Sequence, residues 1–183
     1  MSRIAEFPEI LDDRQKELAE RIASGPRGRV RGPLALWLYS PDLCERAQHL
    51  GEFLRFGTSF DKRLSELTII TCAAHFRCEY EWAVHAPIAE KAGLSPDAIA
   101  AIKSGDDPQF AEHDEQVVYR ATRELLSGNR MSQSAFDAVI ELFGERGIVE
   151  LTAIMGYYAL GAFLLNATEM TPPDGSHPFP DNV

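Results

Sequence analysis

The chain has 183 residues, of which 45% are hydrophobic and 25% are charged, and its formal net charge is −10 at pH 7. These values are typical of one globular domain that is long enough to bury a core. The acidic balance disfavours nucleic acids and anionic membrane surfaces as partners, because both attract basic proteins. We therefore expect a small organic molecule as the ligand.

Helix signals are frequent along the chain, and strand signals are nearly absent. Ser40 followed by Pro41 is typical of a helix start, and Gly57 is typical of its end. The segment 25–33 holds two prolines and three glycines, which predicts irregular structure. Caps and stops of this kind divide the chain into predicted helices over 12–23, 41 to the stop at Gly57, 61 through 70, 78–92, 96 to the stop at Gly105, 112–127, 132 to the stop at Gly144, and 145–167.

This pattern predicts an all-α single domain of seven or eight helices. The proline-rich residues 171–180 cannot be helical and predict an extended tail. The stretch from Leu151 to Thr168 carries no charge, but Gly156 and Gly161 interrupt it and it is short for a membrane span. We expect it to be a buried helix in the core or in a subunit interface.

Three cysteines without framework spacing indicate reduced thiols, so we expect a cytoplasmic protein. The first eight residues lack the apolar run of a signal peptide, which agrees with that expectation. Cys72 and Cys78 are six residues apart, which on one helix separates their Cα atoms by about 9 Å. That is beyond the reach of a disulfide, and we expect Cys72 to be a buried packing residue.

Cys78, Glu81 and His85 are spaced i, i+3 and i+7, so they lie on one face of the predicted helix. Glu66 is twelve residues upstream of Cys78. A thiol, two carboxylates and an imidazole can supply a nucleophile, an acid and a base. Spacing favours Glu81 as the partner that orients His85, and a position near a helix N-terminus predicts a lowered pKa for Cys78.

The same residues also have a purely structural interpretation, which the sequence leaves open. Glu81 and His85 can form an exposed i, i+4 pair, with Cys78 as a small core residue. The flanking Tyr80 and Trp82 fit either a pocket wall or a core. A metal site that adds His75 to this set lacks the ligand pairing of zinc motifs, so we expect neither a metal nor a cofactor.

Arg27, Arg29 and Arg31 lie in the glycine- and proline-rich segment that precedes the predicted helix at Pro41. Their guanidinium groups can bind a substrate carboxylate through paired hydrogen bonds. A solvated linker is the interpretation that the sequence favours, because flexible arginines are common near loops.

The order and spacing of several short strings resemble the carboxymuconolactone decarboxylase family, which shares its fold with alkylhydroperoxidase D. The strings are Arg63-Leu-Ser-Glu-Leu67, Cys78-Glu-Tyr-Glu-Trp82 with His85, Ala92-Gly-Leu94, and Gly156-Tyr-Tyr158 leading to Leu165-Asn-Ala167. The resemblance implies a family domain over 32–175, between an N-terminal helix and linker at 1–31 and an extended tail at 176–183. It also implies a homo-trimer or homo-hexamer with a pocket near the subunit interface.

The hydroperoxidase branch of that family has a second cysteine where this chain has Glu81, whereas Glu66, Cys78 and His85 match its spacing. A dithiol peroxidase needs both sulfurs, so that mechanism is excluded here. The resemblance then implies cofactor-free acid/base chemistry on a small carboxylated lactone or related ring compound. His85 would protonate the carbon or polarise the carbonyl, and Glu66 and Glu81 would hold it or carry protons. A single-cysteine thiol peroxidase using Cys78 and a non-catalytic oligomeric binding protein are the alternatives.

Overall fold

The computed structural model describes residues 2–179, and the regular secondary structure within that range is entirely helical. The predicted all-α class and helix number are confirmed. The eight helices are α1 (Asp13–Ser24), α2 (Pro33–Trp37), α3 (Pro41–Phe56), α4 (Lys62–His75), α5 (Glu79–Lys91), α6 (Pro96–Ser104), α7 (His113–Gly128) and α8 (Gln133–Thr168).

Polar caps fix where most of these helices begin. The side chains of Asp12, Asp61, Ser95 and Ser132 each accept a hydrogen bond from a backbone N–H three residues further on. Such a cap satisfies one of the four N–H groups that a helix start leaves without a partner. Short polar residues in the sequence therefore set the starts of α1, α4, α6 and α8.

Two details differ from the sequence prediction. Pro33 is not the last residue of an irregular segment, because it opens the short helix α2. The cap of α7 is Asn129, which adopts the left-handed conformation (φ 57°), so Gly128 still belongs to the helix. The break predicted at Gly144 is present, because its backbone is non-helical (φ 64°, ψ −172°) and the two helices predicted on either side of it are the two halves of α8, joined at this kink.

The helix α4 lies at the centre of the fold and packs against α5, α7 and α8. All ten residues from Leu64 to Ala73 are buried, so this helix brings polar side chains such as Glu66 into the core. By length and composition α8 could cross a membrane, yet half of its most apolar stretch is buried inside the molecule. It therefore serves as a core helix, as predicted.

The chain after α8 contains no helix from residue 169 to Phe179, as its prolines predict, but a turn at 173–174 and a bend at 178–179 interrupt its course. Phe179 is buried and packs edge-on against Trp82 of α5, with ring centroids 5.4 Å apart. Residues 180–183, the rest of the predicted tail, lie outside the described residues. The domain boundaries at 31/32 and 175/176 stay predictions.

Candidate active site

The central feature of the site is a hydrogen bond between two buried side chains from consecutive helices. His85 of α5 lies opposite Glu66 of α4, and the two atoms His85 Nδ1 and Glu66 Oε2 are 2.6 Å apart. Their side chains are only 7% and 2% exposed. With Glu66 ionised, the Nδ1–H of His85 donates this bond, which leaves Nε2 as the nitrogen that can exchange a proton with a ligand.

The carboxylate that holds His85 is thus Glu66, and the predicted orienting role of Glu81 is wrong. Glu81 is turned toward α8, where its Oε1 atom lies against Gly161. A Cβ atom at Gly161 would be only 2.6 Å from that oxygen. Tertiary packing against α8 therefore decides the direction of the Glu81 side chain, and the i, i+4 spacing to His85 does not.

Glu81 is a buried carboxyl group that forms no ion pair with another residue of 2–179. It is 4% exposed, and its Oε2 atom makes no hydrogen bond to the described residues. Burial raises the pKa of Glu81 well above its ordinary value, because a low-dielectric surrounding disfavours the charged form. Glu81 is therefore expected to hold a proton near neutral pH.

Both Glu81 and His85 line a cavity of about 280 Å³. The ring of Tyr158 packs edge-on against the imidazole of His85, with centroids 5.1 Å apart and planes at 88°. The rest of the lining comes from α2, α3, α5, α8 and the loop between α1 and α2. The residues are Pro26, Arg27, Arg29, Arg31, Pro33, Leu34, Trp37, Arg55, Phe56, Tyr80, Val84, Ile88, Tyr157 and Gly161.

Four arginines line this cavity, namely Arg27, Arg29, Arg31 and Arg55. Their position corrects the solvated-linker interpretation favoured for the first three. None of these four arginines forms an ion pair with a carboxylate in residues 2–179. The Nε and Nη2 atoms of Arg27 are buried, and Nη2 lies beside the hydroxyl of Tyr157. Burial, and then the charge of Arg29, lowers the pKa of Arg31. The cavity therefore concentrates positive charge in a chain that is acidic as a whole.

Cys78 does not reach this cavity. It is the N-cap residue of α5, is fully buried, and packs in a small cluster with Leu36, Ala162 and Leu165. Burial raises its pKa strongly, although backbone hydrogen bonds from Glu81 and Tyr80 act in the opposite direction. The predicted lowering of the Cys78 pKa is wrong, because desolvation outweighs the helix N-terminus.

The two aromatic residues beside the site, Tyr80 and Trp82, lie in different surroundings. Tyr80 lines the cavity, and its ring lies so close to Gly32 that a Cβ there would be 2.6 Å from it. Trp82 is not part of the wall and belongs to the core beside Phe179, which corrects its assignment to a substrate pocket. Residues two apart on a helix point in nearly opposite directions, so one face of α5 cannot present both rings.

Cys72 is fully buried and all three cysteines are free thiols. No three His, Cys, Asp or Glu side chains of residues 2–179 are arranged to hold a metal ion. Sequence reasoning missed Arg55, Tyr157 and Gly161 as lining residues. Arg55 near the end of α3 has no local feature that separates it from a surface arginine.

A buried Glu–His pair on two consecutive helices lies beside a buried carboxyl group of raised pKa in an arginine-lined cavity, an arrangement suited to acid/base chemistry. The model of the carboxymuconolactone decarboxylase family matches residues 41–126. The match spans a little under half of the chain and includes Glu66, Cys78, Glu81 and His85. It confirms the predicted resemblance to that family over this segment.

Solved structures confirm the fold. An uncharacterized peroxidase-related protein from Silicibacter sp. TM1040 is 14% identical, with a TM-score of 0.76 over 96% of this chain and 94% of that protein. The alkylhydroperoxidase AhpD core of an uncharacterized peroxidase-related protein from Ralstonia eutropha JMP134 is 17% identical, with a TM-score of 0.73 over 94% and 93% of the two chains. A protein of unknown function from Agrobacterium tumefaciens is 14% identical, with a TM-score of 0.65 over 78% and 99%. No curated protein sequence matches the chain.

Proposed function

We propose that the protein is a cofactor-free lyase that removes CO₂ from a small carboxylated lactone or related ring compound. The observation that carries this proposal is the opening of His85 and the neutral Glu81 onto one cavity lined by arginines. Such a cavity offers an anion-binding wall and two groups that can move or share protons.

The arginines supply substrate binding. Arg27, Arg29, Arg31 and Arg55 have no carboxylate partner in the described part of the chain, so a bound carboxylate would meet them without displacing an existing ion pair. Guanidinium groups bind carboxylates through two parallel hydrogen bonds, which orient the ligand as well as hold it. A field of this sign also attracts anions into a protein that otherwise repels them.

The chemical step follows from the remaining residues. The bond between the ring carbon and its carboxylate breaks, CO₂ leaves, and the electron pair stays on the carbon as the enolate of a neighbouring carbonyl. The Nε2–H of a protonated His85 then protonates that carbon, while the negative charge of Glu66 stabilises the imidazolium through Nδ1. The neutral Glu81 donates a hydrogen bond to the enolate oxygen. Each turnover consumes one proton, which His85 regains from solvent.

The test is turnover of a panel of carboxylated lactones, followed as release of CO₂. We expect His85→Ala to lose activity by at least a hundredfold, which is the usual contribution of a general acid. His113→Ala is the matched control, because His113 is exposed at the first residue of α7. Equal turnover by wild type and His85→Ala on every accepted lactone would show that the assignment is wrong.

A second candidate is a single-cysteine thiol peroxidase, which the likeness to two peroxidase-related proteins favours. The Cys78 thiolate would attack a hydroperoxide, form a sulfenic acid and release an alcohol, and an external thiol would reduce the sulfenic acid in two steps. The burial of Cys78 and its raised pKa oppose this reaction. Hydroperoxide consumption that requires an added thiol and disappears in Cys78→Ser would favour it over the lyase.

We also propose that the protein is a cytoplasmic homo-trimer or homo-hexamer. Large apolar side chains are exposed on α3 and α8, among them Leu50, Phe53, Leu160 and Phe163. A subunit interface would cover such surface, because apolar area removed from water stabilises an assembly. Light scattering after size-exclusion chromatography measures the mass, and a monomer at micromolar concentration would contradict this proposal.

A further inference from the structure

The face of α8 that covers the site carries Tyr158, whose hydroxyl group takes no part in the reaction proposed above. The two helices α5 and α8 meet through two contacts, Glu81 against Gly161 and His85 against Tyr158. Glu81 and His85 are four residues apart on α5, and Tyr158 and Gly161 are three residues apart on α8. The order of the contacts is reversed between the two helices, so Tyr158 and the carboxyl of Glu81 lie on the same wall, about one helical turn apart.

The hydroxyl of Tyr158 is available to a ligand. Tyr158 lines the cavity and is 7% exposed, and its hydroxyl makes no hydrogen bond within residues 2–179. Burial keeps its pKa above the ordinary value, so the group is an O–H donor near neutral pH. The edge-on contact with His85 fixes the ring, which limits the entropy lost when the hydroxyl binds a ligand.

We propose that Tyr158 is a catalytic residue that, together with Glu81, forms a two-donor site for the oxyanion of a planar enolate. This inference rests on the proposed function and adds to it the residue that shares the developing charge. When the carbon–carboxylate bond breaks, the electron pair moves onto the carbonyl oxygen. The O–H groups of Tyr158 and Glu81 then both donate hydrogen bonds to that oxygen. Neutral donors that are fixed before the reaction stabilise such charge more than mobile water does.

The same pair should recognise stable planar oxyanions, whether or not the protein turns over any lactone. A ligand that joins a carboxylate to a phenolate across an aromatic ring would place its carboxylate at the arginines and its phenolate oxygen at Tyr158 and Glu81. The ligand 4-hydroxy-3-nitrobenzoate carries both groups and is ionised at mildly alkaline pH. The matched ligand 3-nitrobenzoate lacks only the phenolate oxygen.

The experiment is calorimetric titration of both ligands into wild type, Tyr158→Phe and Tyr157→Phe. Tyr157 lines the same cavity, but its hydroxyl lies at Gly51 beside Arg27, so Tyr157→Phe is the matched control. We expect Tyr158→Phe to bind 4-hydroxy-3-nitrobenzoate about ten- to a hundredfold more weakly, the value of one hydrogen bond to a charged group. Its affinity for 3-nitrobenzoate should stay unchanged. Tyr157→Phe removes a hydroxyl beside Arg27, so it should change the affinities for both ligands by the same factor.

Three results would overturn the inference. Tyr158→Phe could bind the phenolate as tightly as wild type, Tyr158→Phe could lose affinity for the two ligands equally, or Tyr157→Phe could show the same loss for the phenolate ligand alone. An unfolding midpoint for Tyr158→Phe near that of wild type confirms that the cavity is intact, and retained 3-nitrobenzoate binding serves the same purpose. Because no turnover is measured, absence of lyase activity would contradict the proposed function without affecting this binding test.

Discussion

Glu66 and His85 are nineteen residues apart in the chain, and the atoms Oε2 and Nδ1 of their side chains meet at 2.6 Å in the core. One belongs to the central helix α4 and the other to α5, and the turn at residues 76–78 brings the two helices side by side. A buried carboxylate in this place fixes the orientation and the tautomer of the imidazole ring. The pair therefore has the arrangement of an oriented acid or base, with its second nitrogen directed away from Glu66.

The first prediction concerns Glu66→Gln. The amide keeps an oxygen that can accept the bond from Nδ1, but it removes the negative charge that stabilises the imidazolium. We expect kcat for lactone decarboxylation to fall about a hundredfold with little change in KM. Glu90→Gln on the exposed side of α5 is the control and should behave as wild type. An unchanged kcat in Glu66→Gln would mean that His85 does not act through Glu66.

The second prediction concerns the pH dependence of stability that Glu81 causes. Burial raises its folded-state pKa above the unfolded value, so between these two pKa values the folded protein binds more protons than the unfolded chain. The stability from Glu81 is complete below the unfolded pKa and is lost as pH rises toward the folded pKa. Glu81→Gln cannot ionise, so its unfolding free energy should improve relative to wild type as pH rises from about 4.3.

Urea unfolding at a series of pH values measures this difference. We expect the ratio of the wild-type and Glu81→Gln unfolding constants to change by up to about tenfold for each pH unit in that window. Glu141→Gln on the exposed side of α8 is the control, and its ratio to wild type should not depend on pH. A constant ratio for Glu81→Gln would show that Glu81 is ionised in the folded protein.

Local rules were enough to predict most of the fold. Asp61 and Ser132 cap the helices expected to start there, and the uncharged stretch after Leu151 is the core helix expected from its composition. Caps and apolar periodicity act within one helix, so a single sequence contains the information. The kink at Gly144 is also a local property, and it separates the two halves of α8 that the sequence predicted as two helices.

The site was predicted less well, because its geometry depends on which helices meet. Spacing on α5 placed Glu81 and His85 on one face, and both line the cavity, but the partner of His85 comes from α4 and the neighbour of Glu81 comes from α8. Burial of Cys78 depends on Leu36 and Ala162, residues distant in the chain. No pattern within one helix reveals such packing. The sequence therefore predicted a reactive thiol at Cys78, which packing buries, and favoured a solvated linker for the arginines at 27, 29 and 31, which line the cavity.

The third prediction compares two glycines of α8. A Cβ at Gly161 would lie 2.6 Å from Oε1 of Glu81, whereas a Cβ at Gly156 meets nothing within 4 Å. We expect Gly161→Ala to displace the Glu81 carboxyl, to lower kcat about tenfold and to destabilise the fold by about 1–3 kcal/mol. Gly156→Ala should stabilise the helix by up to about 1 kcal/mol and keep full activity. Equal behaviour of the two variants would contradict the close contact at Glu81.

The fourth prediction is that Cys78 reacts slowly with iodoacetamide in the folded protein. Its thiol is fully buried and its pKa is raised, so the thiolate that reacts with alkylating agents is scarce at neutral pH. Mass spectrometry of peptides after timed alkylation measures the rate, and the denatured protein supplies the reference rate. Modification of Cys78 in the folded protein at the denatured rate would favour the peroxidase over the lyase.

The fifth prediction distinguishes the effect of the positive charge of Arg27 from that of the paired hydrogen bonds its guanidinium can form. Its guanidinium lines the cavity, and its buried Nη2 atom lies beside the hydroxyl of Tyr157. Arg27→Lys keeps the positive charge but cannot form two parallel hydrogen bonds. We expect its dissociation constant for benzoate to rise about tenfold or more, since one charge-assisted hydrogen bond is lost. Arg14→Lys, which alters an exposed arginine paired with Asp42, is the control and should bind benzoate as wild type does. Unchanged benzoate affinity in Arg27→Lys would show that the cavity attracts anions through its charge alone, without a paired contact at this arginine.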